Sequence, residues 1–332
     1  MTINCYQQLA QALEKGAVVL ATAIAIKGSV PREVGAKMII CADGRTYNTI
    51  GGGAGEAKVI RQAMIVLETG EKQLVEIDLT GATQRQTQGI CGGIMQIWLE
   101  RWSGREAIAL VNQILNLLQS GQTATLVTPF ALDRAPYLLL GNTFIANEES
   151  FIETLQPPPT LLIVGAGHVG KQLAKAAHKI GFQVIIQDDR PEWANRERYP
   201  QATAIYHQAI ASVVAQLASQ TQLYAALVTR GFQYDLAALK VLLDRDPACK
   251  YIGTIGSEKR VRQVLQALET DGIALNKLRS LYAPIGLDIG ALTPEEIAVS
   301  ICAELILVRR GGTGRPLSQL RVSSESITSI ED

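Results

Sequence analysis

The chain has 332 residues, 47% of them hydrophobic, which is more apolar material than one core of ordinary size absorbs and enough for two domains. Its 31 Lys and Arg balance 31 Asp and Glu, so there is no bulk positive field to recruit nucleic acid or an anionic membrane surface. Five cysteines, Cys5, Cys41, Cys91, Cys249 and Cys302, form no CxxC pair and leave an odd one over, which argues against a disulfide framework and for a reducing, cytoplasmic setting.

In chain order, residues 6–15 predict an amphipathic helix and the apolar run of residues 17–26, "AVVLATAIAI", a buried strand. Glu14 and the helix before the run make a poor signal-peptide leader, and no small-residue cleavage site follows. No segment reaches the ~18 apolar residues needed to cross a bilayer, so a soluble protein is expected. The loop "KGSVPREVGAK" of residues 27–37 leads to a strand at 38–41 and a turn at "ADGR". The glycine-rich turn "IGGGAGE" then runs into a helix from about Glu56. Strand-like "KQLVEIDLT", the loop "QGICGG", the strand "IMQIWLERW" and a helix closed by Gly121 complete an α+β unit. Short strands and turns fill residues 123–147, and "QPPPT" at 156–160 is a stiff, extended connector.

Beyond it the period changes. Apolar strands ("TLLIVG", "FQVIIQ", "ATAIYH", "LYAALVTR", "KYIGTIG") alternate with amphipathic helices, the pattern of a doubly wound parallel sheet. Thr293, Pro294 and Glu296 supply an N-cap, a first-turn proline and a capping-box glutamate for a last helix that ends before Gly311. The fold expected is α/β: an α+β N-terminal domain at 1–125, a strand-rich connector and linker at 126–158, a Rossmann-like nucleotide-binding domain at 159–312 and a polar tail at 313–332.

Four stretches could carry chemistry. Gly165-x-Gly167-x-x-Gly170 follows a strand and opens a helix. There the first glycine permits the turn, the second lets a pyrophosphate approach the backbone, and the third lets helix and strand pack closely. Asp188 and Asp189 end the second strand, where an acid meets a ribose hydroxyl; the other reading is a glycine turn kept for packing alone. The loop of residues 27–37 holds Lys27, Ser29, Arg32 and Lys37 between glycines. It suits an anion, or it is a solvated hairpin loop. Gly51, Gly52 and Gly53 expose backbone N–H groups where a helix begins. Cys91, followed by Gly92 and Gly93, is a thiol that a ligand can approach closely, able to bind metal or carry sulfur, or it is buried filler. Only three histidines exist, His168, His178 and His207, with no metal-ligand spacing. No acid–base pair for hydride chemistry is visible, and His168, inside the glycine loop, is placed to touch a phosphate.

The blocks "KGSVPREVGAKMII", "GGGAGE", "CGG", "LLIVGAGHVGKQLAKAA", "QDDRPEWANRERYP", "YIGTIGSEKR" and "APIGLDIGALTPEEIAVSICAELI" together resemble the XdhC/CoxI family of maturation factors for molybdenum hydroxylases, over nearly the entire chain. The resemblance implies a homodimeric protein that binds molybdenum cofactor, as molybdopterin or its dinucleotide form, helps see it sulfurated, protects it and passes it to a xanthine dehydrogenase-like apoenzyme. A cysteine desulfurase is a further candidate partner. Carried over by position, the site would comprise Ser29, Arg32 and Lys37, then Gly51, Gly52, Gly53 and Glu56, then Cys91, Gly92 and Gly93, and finally Gly165, Gly167, His168 and Gly170, with Asp188 beside them. Arg32 and Lys37 would meet phosphate, Cys91 the metal or a sulfur, and the glycine loops would act as backbone donors. One departure is visible: many relatives carry histidine in the loop after the fourth Rossmann strand, where this chain has "TRGFQYD" with Phe232. Arg230 and Asp235 are the polar candidates there, or they only shape the loop. The alternatives are an NAD(P)-dependent oxidoreductase with its substrate between the domains and a nucleotide-sensing regulatory module.

Overall fold

The computed structural model describes residues 2–79, 92–139 and 149–320; Cys91 lies outside them. The chain divides into two compact units, Met1–Pro157 and Pro158–Asp332.

The N-terminal unit runs α1 (Thr2–Leu13), β1 (Val18–Lys27), β2 (Lys37–Cys41), β3 (Thr46–Asn48), α2 (Gly53–Thr69), β4 (Gln73–Asp78), β5 (Ile94–Trp102), α3 (Gly104–Gln119), β6 (Ala124–Pro129), β7 (Tyr137–Leu138) and β8 (Ser150–Leu155). Its main sheet is antiparallel in the order β3-β2-β1-β5-β4. Because successive side chains of a strand point to opposite faces, the continuous apolar run of β1 requires cover on both. Val18 and Leu20 enter a core with α1 and α3, whereas Val19, Ala21 and Ala23 enter another with α2. A smaller sheet, β7-β6-β8, adds Leu126 and Leu155 to the α1/α3 core.

Two elements differ from the sequence reading. Helix α2 begins at Gly53, not near Glu56, because glycine's low helix propensity masks its first turn. The polar stretch "TYN" forms β3, which pairs with β2 across the "ADGR" turn; its strand character comes from that partner.

The C-terminal unit runs β9 (Thr160–Val164), α4 (His168–Lys179), β10 (Gln183–Gln187), β11 (Ala204–Tyr206), α5 (Ile210–Gln216), β12 (Leu223–Leu227), α6 (Phe232–Leu243), β13 (Tyr251–Thr254), α7 (Glu258–Thr270), α8 (Leu275–Arg279) and α9 (Pro294–Arg310), with a 3-10 turn at Leu317–Leu320. All five strands are parallel, in the order β11-β10-β9-β12-β13. Leu161, Ile163, Val184 and Ile186 pack with α4 and α9 on one face; Leu162, Val164, Ile185 and Leu227 pack with α5, α6 and α7 on the other. This is the doubly wound α/β sheet that the alternating pattern predicts. The chain leaves β9 toward β10 and β11, then returns to β12 on the other side of β9, so the crevice outside the carboxyl ends of β9 and β12 is the topological switch point. Thr293 and Glu296 form the expected reciprocal capping box at the start of α9.

A charged pair inside the N-terminal unit joins Glu100 to Lys72. Glu100 on β5 is 4% exposed, and its Oε1 lies 2.8 Å from Lys72 Nζ. Lys72 also donates to the carbonyls of Pro129 and Arg134, while Glu100 Oε2 has no hydrogen-bond partner among the described residues. Burial outweighs the attraction of Lys72 and pushes the carboxyl up to about 6 from 4.5. A proton is therefore held more tightly in the folded chain, and the stability this contributes is complete below pH 4.5 and lost as pH rises through about 6. Glu100→Gln is expected to remove about 2 kcal/mol of pH dependence across that window, read as a flattened plot of urea-unfolding free energy against pH.

Candidate functional site

In the N-terminal unit, β1 carries a bulge between Ala23 and Ala25 in its pairing with β5, and the loop that follows is tied back by Gly35 N–H to the Ala23 carbonyl, 2.7 Å, and Ala23 N–H to the Ala36 carbonyl, 2.9 Å. This loop lies directly on the backbone of residues 92–93. A Cβ on Gly93 would stand 2.5 Å from the Ser29 carbonyl and 2.6 Å from that of Lys27, and one on Gly28 would stand 2.8 Å from the Gly92 carbonyl. Gly51 abuts the same loop, where a Cβ would meet Pro31 Cγ at 2.5 Å. Three glycine stretches far apart in sequence thus meet at the N-terminus of α2, in contact that only residues without Cβ permit. Ser29 and Arg32 are exposed there, and Arg32 has no ion pair among the described residues.

Two assignments in this unit are corrected. Lys37 does not face a phosphate: its Nζ is buried 2.5 Å from Glu153 Oε1, because the alternation of β2 turns it inward toward β8. Glu56 and the N–H groups of Gly51 and Gly52 are likewise spent internally. Glu56 Oε2 accepts from Thr49 Oγ1 at 2.6 Å, Ile50 N–H at 3.2 Å and Gly52 N–H at 3.0 Å, and Thr49 Oγ1 accepts from Gly51 N–H at 3.0 Å. A carboxylate built into the chain holds this loop in shape, and no side chain caps the first turn of α2, which opens at Gly53. Open space adjoins Gly52, Gly53 and Gly92.

In the C-terminal unit, the loop after β9 has the geometry its glycines predict. Gly165 adopts φ +113°, and a Cβ there would stand 2.5 Å from the Val228 carbonyl; a Cβ on Gly170 would collide with the Gly165 carbonyl. Gly167 caps α4 and faces open space, with exposed His168 next to it.

Asp188 is not open to a ribose. Its Oδ2 accepts Ala166 N–H at 2.7 Å and Arg190 Nη2 at 2.8 Å, and its Oδ1 accepts Arg190 Nε at 2.8 Å and Arg190 N–H at 3.1 Å. Burial works against the charge, but the Arg190 side chain and the Ala166 N–H outweigh it and hold the carboxyl at about 2, below its ordinary 3.8. The acid clamps the glycine loop to the next strand instead of reading a ligand.

Asp189 pairs with Arg230 through both oxygens, 2.9 Å each, and the Arg230 guanidinium lies 4.2 Å over the Tyr234 ring. Asp235, buried, is held by Thr229 Oγ1 at 2.5 Å and Arg260 Nε at 2.9 Å, so it shapes the loop after β12. Residues given no role from the sequence stand beside the glycine loop: Trp193 lies under the guanidinium groups of Arg190, 5.1 Å, and Arg198, 4.7 Å, with His168 edge-on at 5.8 Å. Their only signal is the mixed basic and aromatic content of "DDRPEWANR".

Among the described residues, no group of three or more His, Cys, Asp and Glu is placed to hold a metal ion. Burial pushes the thiols of Cys5, Cys249 and Cys302 up to about 11 and raises Cys41, leaving none of these four a thiolate at neutral pH. No helix among the described residues is long and apolar enough to cross a membrane.

Residues 161–305 match the family model described as XdhC Rossmann domain, and residues 12–78 match that of the XdhC and CoxI family. The glycine loop of the C-terminal unit falls in the first segment, and the loops at 27–37 and 50–56 in the second. The chain is 28% identical over 324 residues to a probable xanthine dehydrogenase subunit of Bacillus subtilis (strain 168), covering 88% of this chain and 93% of that protein. It is 25% identical over 301 residues to the molybdenum cofactor insertion chaperone PaoD of Escherichia coli (strain K12), covering 89% and 84%. A solved structure, described as a xanthine dehydrogenase from Bacillus halodurans, superposes with a TM-score of 0.74 at 26% identity, covering 96% of this chain and 99% of that one.

Gly93→Ala is expected to force the Ser29 and Lys27 carbonyls apart and to cost about 1–3 kcal/mol of stability, measured by denaturant unfolding. Asp188→Asn should cost about 2 kcal/mol at pH 7. The folded carboxyl lies below its ordinary value, so its contribution is present above pH 3.8 and lost as pH falls through about 2. Unfolding curves of parent and variant should therefore converge in acid.

Proposed function

The chain belongs to the XdhC and CoxI family, and from that membership we propose that it binds molybdenum cofactor and delivers it, protected and sulfurated, to a xanthine dehydrogenase-like apoenzyme. The observation that carries the reading is a pair of approachable glycine backbones at helix starts. Gly53, which opens α2, and Gly167, before α4, face open space, and no side chain caps either helix. Uncapped N–H groups with the positive end of the helix dipole suit phosphate oxygens. In the N-terminal unit the residues that would meet a phosphate are Ser29 and Arg32 beside α2; in the C-terminal unit, taken by itself, they are Gly167 and His168 at α4.

Gripping without transforming fits the donor set. Positioned donors are present, while the half-buried carboxylate of Glu56 and the buried ones of Asp188 and Asp235 are consumed in holding loops. The reactive chemistry that the cofactor supplies belongs to the client enzyme. Cys91, assigned to the metal or to a carried sulfur, is part of this proposal, as are a homodimeric assembly and a cysteine desulfurase as sulfur source. The oxidoreductase alternative rested on the glycine loop at 165–170 and on Asp188, and of these two the carboxylate is engaged by Arg190 and Ala166.

The test is to purify the full chain without oxygen, identify any released small molecule by mass spectrometry, and offer the loaded protein to the apoenzyme of a molybdenum hydroxylase. A phosphorylated pterin is expected, with activation of the client that falls at least tenfold for Cys91→Ala. Absence of a pterin together with no activation by the parent chain would remove the reading; undiminished activation by the variant would remove the cysteine from it.

A further inference from the structure

The acid that ends the second strand of a dinucleotide fold reads a ribose diol only if its oxygens are free to accept from the two hydroxyls. Both Asp188 oxygens are taken by Ala166 and Arg190, and the side chain is 4% exposed. Arg190 gives Nε and one Nη2 hydrogen to that clamp; its Nη1 has no acceptor among the described residues. A planar guanidinium locked along one edge presents the other edge in a fixed direction, which suits a tetrahedral phosphate and not a pair of hydroxyls that also need an acceptor.

The surroundings have the matching charge. Arg190 and Arg198 both lie over Trp193, and exposed His168 stands edge-on to it at the start of α4. Within this group Asp188 neutralises one of the two guanidinium charges, and the neighbouring Arg230 is balanced by Asp189. A net positive charge remains beside the helix terminus.

We infer that the Rossmann unit selects its ligand by a phosphomonoester read by the free edge of Arg190 at the end of β10, and disfavours the same kind of ligand ending in an unphosphorylated ribose diol. The inference rests on the reading that this unit holds a phosphate-bearing cofactor, and it adds which form is held. Two sources share the chemistry: the phosphomonoester of molybdopterin, whose dinucleotide form carries a ribose diol instead, and the 2′-phosphate of NADP+, which NAD+ lacks.

The experiment titrates the full chain by calorimetry with both pairs: NADP+ against NAD+, and anaerobically released molybdopterin against its cytidine dinucleotide. At least one monoester is expected to bind tenfold or more tighter than its diol counterpart. Arg190→Ala should cut that preference below threefold. Arg190→Lys, which keeps a cation beside Asp188 and whose folding is checked by thermal melting, should also lose at least threefold, because an ammonium has no planar fork whose second edge is aimed while the carboxylate holds the first. Equal affinities within both pairs, no binding by any of the four, or a preference that survives both substitutions would overturn the inference. Loss of the preference with client activation intact would leave the maturation reading standing. A preference confined to the nucleotide pair, with no pterin bound and no client activated, would uphold the selection by Arg190 and remove the maturation reading.

Discussion

Contact between stretches of main chain, at positions where no Cβ fits, is the constraint on which both candidate sites depend. Gly93 lies against the carbonyls of Ser29 and Lys27, Gly165 against that of Val228, and Gly170 against Gly165 itself. Each contact brings two pieces of main chain closer than side chains would permit. The glycines divide into two kinds. Gly28, Gly51, Gly93, Gly165 and Gly170 have protein where a Cβ would go, whereas Gly52, Gly53, Gly92 and Gly167 have none. In each unit the first kind brings main chain close together and the second leaves space in front of it.

Electrostatics follow the same economy. Most of the charged groups that the sequence offers as ligands are used to stiffen the frame. Lys37 is neutralised by Glu153, Glu56 collects the N–H groups of its own loop, Asp188 joins the glycine loop to the segment after β10, and Asp235 joins Thr229 to Arg260. A buried charge that loses its partner is costly, so these groups are not free to swing toward a ligand. What remains for recognition is backbone N–H groups at helix starts and the outward edges of a few arginines. Donors of this kind suit anions.

Much of the fold was legible because it depends on local pattern. The period of the apolar residues gave β9 and β12 as fully buried strands and β1 and β10 as largely buried ones, the glycine spacing gave the turn into α4, and Thr293 to Glu296 gave the start of α9. What escaped the reading is what neighbours create. The stretch "TYN" is a strand only because β2 lies beside it, and Trp193 matters only because two guanidinium groups and His168 arrive around it.

The sequence by itself determined where the backbone can turn tightly, which faces must be buried, and the membership of a family whose blocks recur along the chain. Those are properties of residue types at fixed spacing, and spacing is preserved in the unfolded chain. Only the tertiary structure decided which charges stay available. Lys37 meets a carboxylate 116 residues away, and Ala166 N–H one that is 22 residues away; whether a charge is spent or free depends on distances of a few ångströms that exist only once the chain has folded.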